Sequence, residues 1–178
     1  MIVKYGNIEY FEYYYERIKL KKQFSHIPEK VFEQCIWARH DKEESKENYG
    51  WLNYENIEFQ LCTWSNKQLT DIYVIESYRD YYKNRVSYDD LSSFCSTEKE
   101  LNEWKKNGSW RTRPIILDVK SITEEIPSWC ELVSPYQLVE GHSRLGYLQS
   151  MFTIDKLGKE KVAEKHKIYL MRLKRTNA

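Results

Sequence analysis

An α+β fold, a mixed sheet with helices packed against it, is predicted by three features of this sequence. The first is PIILDV at 114–119, an apolar run without alternation, which suits a strand covered on both faces. The second is KIYLMRL at 167–173, which reads as a closing strand. The third is a change of period between them. The apolar run YQLV stops at Glu140-Gly141, and from Ser143 to Met151 the period becomes helical, carried by Leu145, Leu148, Gln149 and Phe152.

The elements follow in order. Phe11, Tyr14, Tyr15 and Ile18, with Lys22, fall at helical spacing, and Glu12, Glu16, Lys19 and Lys21 take other faces; this predicts a helix over 9–23. Pro28 suits a first helical turn, and Val31, Phe32, Cys35, Ile36 and Arg39 extend a second helix over 28–39. DKEESKENYG, 41–50, has charge but no apolar period and reads as a solvated loop. Ile57, Phe59 and Leu61 alternate with Glu58 and Gln60, which predicts a half-buried strand over 54–64. Residues 70–86 read as a strand, IYVI, turning into a helix that carries Arg79 and Tyr82. Ser87 and Ser96 suit the caps of two short helices, and Asn107-Gly108 is a stop signal for the second. Beyond PIILDV, residues 122–129 read as a short helical turn or loop, and ELV-SP-YQLV, 131–139, as a hairpin. After Lys156 the chain is polar and helix-prone. There is no internal repeat and no Gly/Ser-rich linker. A helix-rich, aromatic part over 1–110 and a core over 111–178 are expected to form one domain.

Charge and cysteine usage narrow the function. The 28 basic and 27 acidic residues nearly cancel, which argues against a broad polyanion-binding face. Cys35, Cys62, Cys95 and Cys130 form no CxxC pair, so a zinc knuckle is not indicated; each sits among apolar neighbours, where a free thiol is expected to be buried and inert. No signal-peptide or membrane-span pattern opens the chain, so a cytoplasmic protein without a membrane partner is expected. A composition rich in Lys, Asn, Ile, Tyr and Glu resembles that of proteins encoded by AT-rich DNA, mobile elements included.

The chemistry concentrates at Glu140-Gly141-His142-Ser143-Arg144. A helix start leaves backbone N–H groups unpaired and carries partial positive charge, so a glycine there lets an anion approach closely. Gly141 would permit that approach, His142 and Ser143 could donate from side chains, and Arg144 offers a planar fork for phosphate oxygens. Glu140 and Asp118 stand as acids that could take a proton, and Glu140 as a ligand for a metal ion. The plainer alternative is a capped turn: Ser143 the N-cap, His142 a partly exposed turn residue, Arg144 an ion-pair partner of Glu140 or Asp118.

The order PIIL strand, Leu-Val-Glu-Gly-His-Ser-Arg-Leu and helix resembles the ParB/sulfiredoxin-like superfamily over about 114–173. That resemblance implies a ParB/sulfiredoxin-like core with a helical N-terminal extension. It also implies a nucleotide, ATP or CTP, held at Gly141, His142, Ser143 and Arg144, with magnesium and a phosphorylated small molecule as candidate companions. Two departures count. No cysteine lies in 138–150, which removes sulfiredoxin chemistry, and no helix-turn-helix follows, which disfavours a chromosome-partitioning clamp. The remaining functions are a nucleotide-dependent phosphotransferase or hydrolase, with Glu140, His142 and Asp118 as catalytic candidates. The alternatives are a non-catalytic nucleic-acid- or partner-binding regulator, or a nuclease- or toxin-like effector of a mobile element.

Overall fold

Helices lead into the sheet, in a computed structural model that describes residues 10–38 and 42–174. Helix α1 (Phe11–Lys19) buries Tyr14 and Ile18, one turn apart, as the spacing predicts. Helix α2 (Glu29–Val31) follows Pro28 and runs straight into a π-helical stretch (Phe32–Trp37) that buries Phe32, Cys35 and Ile36. Residues 1–9, 39–41 and 175–178 lie outside the described residues, and with them the first residue of the predicted 9–23 helix, the last of the 28–39 helix and the first of the 41–50 charge run. The charge run is a correction: it forms helix α3 (Glu43–Tyr49) rather than a loop. Its last turn is anchored, because Tyr49 is buried and its hydroxyl donates to the Leu138 carbonyl at 3.1 Å.

Strand β1 (Ile57–Ser65), helix α4 (Asn66–Thr70), helix α5 (Glu76–Lys83) and helix α6 (Glu98–Asn107) come next. Gly108 at φ 59° ends α6 where Asn107-Gly108 predicts it. The caps differ from expectation. Asp90 and Thr97, not Ser87 and Ser96, accept the backbone N–H groups that open the short 3₁₀ turn Leu91–Ser93 and α6. Strand β2 (Ile115–Asp118), strand β3 (Tyr136–Glu140), helix α7 (His142–Lys156) and strand β4 (Lys165–Leu173) complete the fold.

The sheet order is β1-β4-β2-β3, with β2 and β4 parallel and the outer pairings antiparallel. The three apolar runs PIILDV, YQLV and KIYLMRL thus share one mixed sheet, with α7 packed on it, as the sequence predicts. The strand in 70–86 is a single bridge, Tyr73 to Gln137 on the open edge of β3, and α5 follows it. The hairpin over 131–139 does not form. Glu131 and Val133 give their N–H groups to the Asn48 and Gln137 side chains, and β3 pairs with β2 instead. The polar stretch after α7 is not helical either; Leu157 caps the helix, and Asp155 accepts the Val162 N–H across the turn that follows.

Both faces of the sheet are covered, and β2 shows how. Ile115 and Leu117 face the N-terminal layer of Tyr14, Ile18 and Phe32, while Ile116 faces Trp104, Leu138, Leu148 and Met151. All three β2 residues are fully buried, each stabilising by roughly 1.5–3 kcal/mol. Residues 10–54 of the aromatic N-terminal part therefore form one layer of a three-layer arrangement. Strand β1 joins the sheet, and Leu69, Phe94 and Trp104 pack with α7 on the other face. Tyr14 is buried and Trp37 and Trp51 pack against that core, whereas Tyr10 and Tyr13 point outward. In β1 the alternation holds for Ile57 and Phe59 but fails at Leu61, which stays 52% exposed beyond the reach of the N-terminal layer.

The cysteines split. Cys35 is buried, Cys62 and Cys130 are half-buried, and Cys95 is exposed, against the expectation of four buried thiols. Burial pushes the Cys62 and Cys130 thiols up. Thiol labelling of the folded protein should modify Cys95 first and Cys35 last, read by peptide mass after quenching at intervals. Equal rates at Cys95 and Cys35 would contradict this burial order. Among the described residues, no helix is long and apolar enough to cross a membrane.

Candidate functional site

The junction of β3 and α7 is set by one glycine. Gly141 sits at φ 108° and ψ 25°, in the left-handed half of the map where side chains are strained. A Cβ there would lie 2.8 Å from Cβ of Pro114, the residue that opens β2, so no side chain fits between junction and strand. The Gly141 carbonyl accepts the first helical bond, from the Leu145 N–H at 2.8 Å. Gly141 supplies no side-chain cap. By contrast, Ser65 caps α4, Thr97 caps α6, and α5 receives a carboxylate from far away: both Glu131 oxygens accept the Glu76 N–H, at 3.0 and 3.1 Å. At α5 the chain itself places an anion at a helix start, where the dipole favours it.

A cleft of about 240 Å³ opens at the start of α7. One wall is Glu140, Gly141, His142, Ser143 and Arg144; the other brings Tyr81, Cys95, Ser96, Glu100 and Tyr147. Tyr147 is fixed by stacking on Phe94 at 4.2 Å, and its hydroxyl donates to the Cys95 carbonyl at 3.1 Å, which holds the 94–96 segment against α7. The Ser143 hydroxyl donates to the Tyr81 oxygen at 3.0 Å, tying α7 to α5. Gly146 permits that close approach, since a Cβ there would meet Arg85 and the Tyr82 carbonyl below 3.0 Å.

Arg144 and Glu140 face each other. One Arg144 Nη donates to Gln34 Oε1 at 2.8 Å and lies 3.5 Å from Glu140 Oε1. Gln34 comes from the π-helical stretch, so the N-terminal layer positions the arginine. His142 is 2% exposed, with its ring 4.4 Å from that of Tyr78. The imidazole is thus turned into the α5–α7 interface, and direct contact between it and a ligand requires it to move.

Asp118 is not part of this group. Ile115 pairs with Glu140 and Asp118 with Tyr136, so the two acids stand at opposite ends of the β2–β3 pair, about 10 Å apart along the strands. Asp118 lines a different cleft, with Arg172 and Lys174.

Among the described residues, no three His, Cys, Asp or Glu side chains gather as a metal cage. Magnesium, however, is commonly held by one or two carboxylates together with substrate phosphates. Glu140 fits that donor role. Glu100 is already committed, because its carboxylate accepts the Arg111 and Thr112 N–H groups at 3.0 and 3.1 Å. The cleft volume falls below the roughly 300–1,000 Å³ of sites that enclose a whole drug-sized ligand. It suits a phosphate-bearing portion of a ligand, with the remainder outside.

The second wall was not visible in the sequence. Tyr81, Cys95, Ser96 and Glu100 reach the cleft by tertiary packing, whereas Tyr147 stands one turn along α7 itself. One signal was present and misleads: Thr97-Glu98-Lys99-Glu100 has the form of a capping box. Thr97 does cap α6, but the Glu100 carboxylate turns to residues 111–112 instead of back to Thr97. Comparison with protein-family models, curated proteins and solved structures yields no match.

Proposed function

We propose that the α7 cleft binds the phosphate portion of a magnesium-bound nucleotide, in the manner of the ParB/sulfiredoxin-like proteins that Glu140-Gly141-His142-Ser143-Arg144 resembles. The observation that carries this reading is Gly141, in a left-handed conformation closed to side chains, at the floor of a cleft that also holds the start of α7 and the Arg144 fork. A phosphate there would meet the positive end of a fifteen-residue helix. It would also compete with Glu140 for Arg144 and so release the Glu140 carboxylate toward magnesium. In this reading the chain binds phosphate with Gly141, Ser143 and Arg144, while Gln34 orients the arginine. Magnesium would neutralise phosphate charge when bound. If turnover occurs, Glu140 is the group placed to take a proton from an acceptor hydroxyl.

Calorimetric titration with ATP, ADP, CTP and GTP, with and without magnesium, tests the proposal. Replacing Arg144 by Ala should weaken binding by about 1.5–3 kcal/mol, the range for a hydrogen bond to a charged group. Gln34→Ala should weaken it less, because the guanidinium remains. Glu140→Gln should spare nucleotide binding without magnesium and remove its magnesium dependence. Failure of the wild type to bind any nucleotide, or equal binding by Arg144→Ala, would reduce the motif to a turn.

A further inference from the structure

A second cleft, larger than the first, lies at the carboxyl ends of the parallel strands β2 and β4. It has a volume of about 560 Å³ and is lined by Asp118, Lys120, Ser121, Thr123, Arg172 and Lys174, among others. We propose that it is a binding site for a small polyanion of the pyrophosphate or phosphomonoester class, separate from the α7 cleft and independent of the reading given to it.

Charge is the first argument. Lys120, Arg172 and Lys174 against Asp118 leave a formal +2 (three minus one) on the lining. The α7 cleft carries Arg144 against Glu100 and Glu140, a formal −1 (one minus two, histidine neutral). The chain as a whole is only +1, so the positive charge here is local. Arg172 is ion-paired with Glu58 just outside the lining, which brings the local balance to +1 (two minus one). The two lysines have no ion-pair partner among the described residues, and Lys174 donates to a neutral acceptor, the Glu55 carbonyl. Arg172 gives its Nε to Glu58, its cross-strand neighbour on β1, which leaves the two Nη groups of the fork for other acceptors.

Preorganisation is the second argument. Ser121 takes the Leu173 N–H on its hydroxyl oxygen at 3.0 Å and donates that hydroxyl to the Asp118 carbonyl at 2.7 Å. This stitches the 3₁₀ turn Val119–Ser121 to the end of β4, so the residues of both strand ends are held in one place before any ligand arrives. Open sheets bind ligands at the carboxyl ends of parallel strands, where the flanking chain diverges and leaves a crevice. Thr123 is exposed there with a hydroxyl able to donate. Asp118 is the one opposing charge on the lining, and it supplies a sharp test.

The full chain is titrated calorimetrically with inorganic pyrophosphate at low ionic strength, without magnesium. A saturable site that persists in Arg144→Ala, where the α7 cleft is disabled, is expected. Lys120→Glu should weaken it at least about tenfold; the residue is exposed and without a partner, so the fold is left intact. Asp118→Asn should tighten it by roughly threefold through loss of the opposing charge. Arg144→Ala should leave it within about twofold, because distant sites act independently. The proposal is overturned by absence of saturable binding at about 10 mM, a level weaker than any useful small-ligand site. Unchanged affinity in Lys120→Glu overturns it too, and so does loss of the signal in Arg144→Ala, which would assign the heat to the α7 cleft. Displacement of pyrophosphate by single-stranded DNA at lower phosphate concentration would overturn the assignment to a small ligand.

Discussion

Replacing Gly141 by Ala should destabilise the protein by about 3 kcal/mol and close the α7 cleft to ligands. Two costs add. A side chain in the left-handed region costs roughly 1–2 kcal/mol. A methyl group forced to 2.8 Å from Pro114 Cβ and 3.1 Å from its Cα adds an overpacking cost of about 1–3 kcal/mol. Relief by backbone movement is blocked on one side by β2, whose Ile115–Leu117 are fully buried. The start of α7 must therefore shift away from the strand, and the N–H groups at the cleft floor shift with it. Gly158 is the control. It has φ 69° but nothing within 4 Å of a built Cβ, so Gly158→Ala should lose only the conformational part, about 1 kcal/mol. Urea unfolding of both variants separates the terms. Equal losses at the two positions would show that the contact with Pro114 carries no weight.

The same glycine shows how far the sequence could be read. A strand that becomes a helix at residue 141 is visible because the apolar period switches there, and period is a local property. The two-sided burial of β2 was visible for the same reason, in a run of apolar residues without alternation. Elements decided by distant partners were not visible. Helix α3 has no apolar period, and it is held by Tyr49 reaching Leu138, 89 residues on. The 131–135 segment looks like a strand locally, yet its N–H groups are taken by Asn48 and Gln137. The site divides along the same line. Glu140 to Arg144 are contiguous and were read together, whereas Asp118 was grouped with them on chemistry alone and faces the other end of the sheet. The opposing wall of the cleft comes from α5, the 94–96 segment and α6. No local pattern encodes that meeting.

Acidification should destabilise the fold by about 3 kcal/mol between pH 6.5 and pH 4 through His166 alone. This imidazole is 1% exposed and lies tilted against the Trp110 ring, 4.8 Å between centroids. The Asn66 amide is oriented by its own donation to the Ala163 carbonyl at 2.8 Å, which turns its oxygen toward His166 Nε2, also at 2.8 Å. Nε2 therefore carries the hydrogen, and Nδ1 accepts from the Ser109 hydroxyl at 2.7 Å. The neutral ring is fully satisfied. Charging it inside this pocket is opposed by burial, which pushes its pKa down to about 4, with partial relief from Ala163. The folded pKa lies below the ordinary value, so the unfolded chain binds the proton more readily. The stabilisation is complete above pH 6.5 and is lost as pH falls through about 4. A displacement of about 2.5 units at 1.36 kcal/mol each sets the magnitude. Asp90 and Asp155 are held below the usual carboxylate range by hydrogen bonds from Ser92 and from Lys161 and Val162, so their losses fall below this window. Urea unfolding of wild type and His166→Gln at pH 7, 6, 5 and 4 isolates the histidine. The wild type should lose about 3 kcal/mol more than the variant over that range, and parallel pH profiles would show that His166 titrates normally in the folded protein.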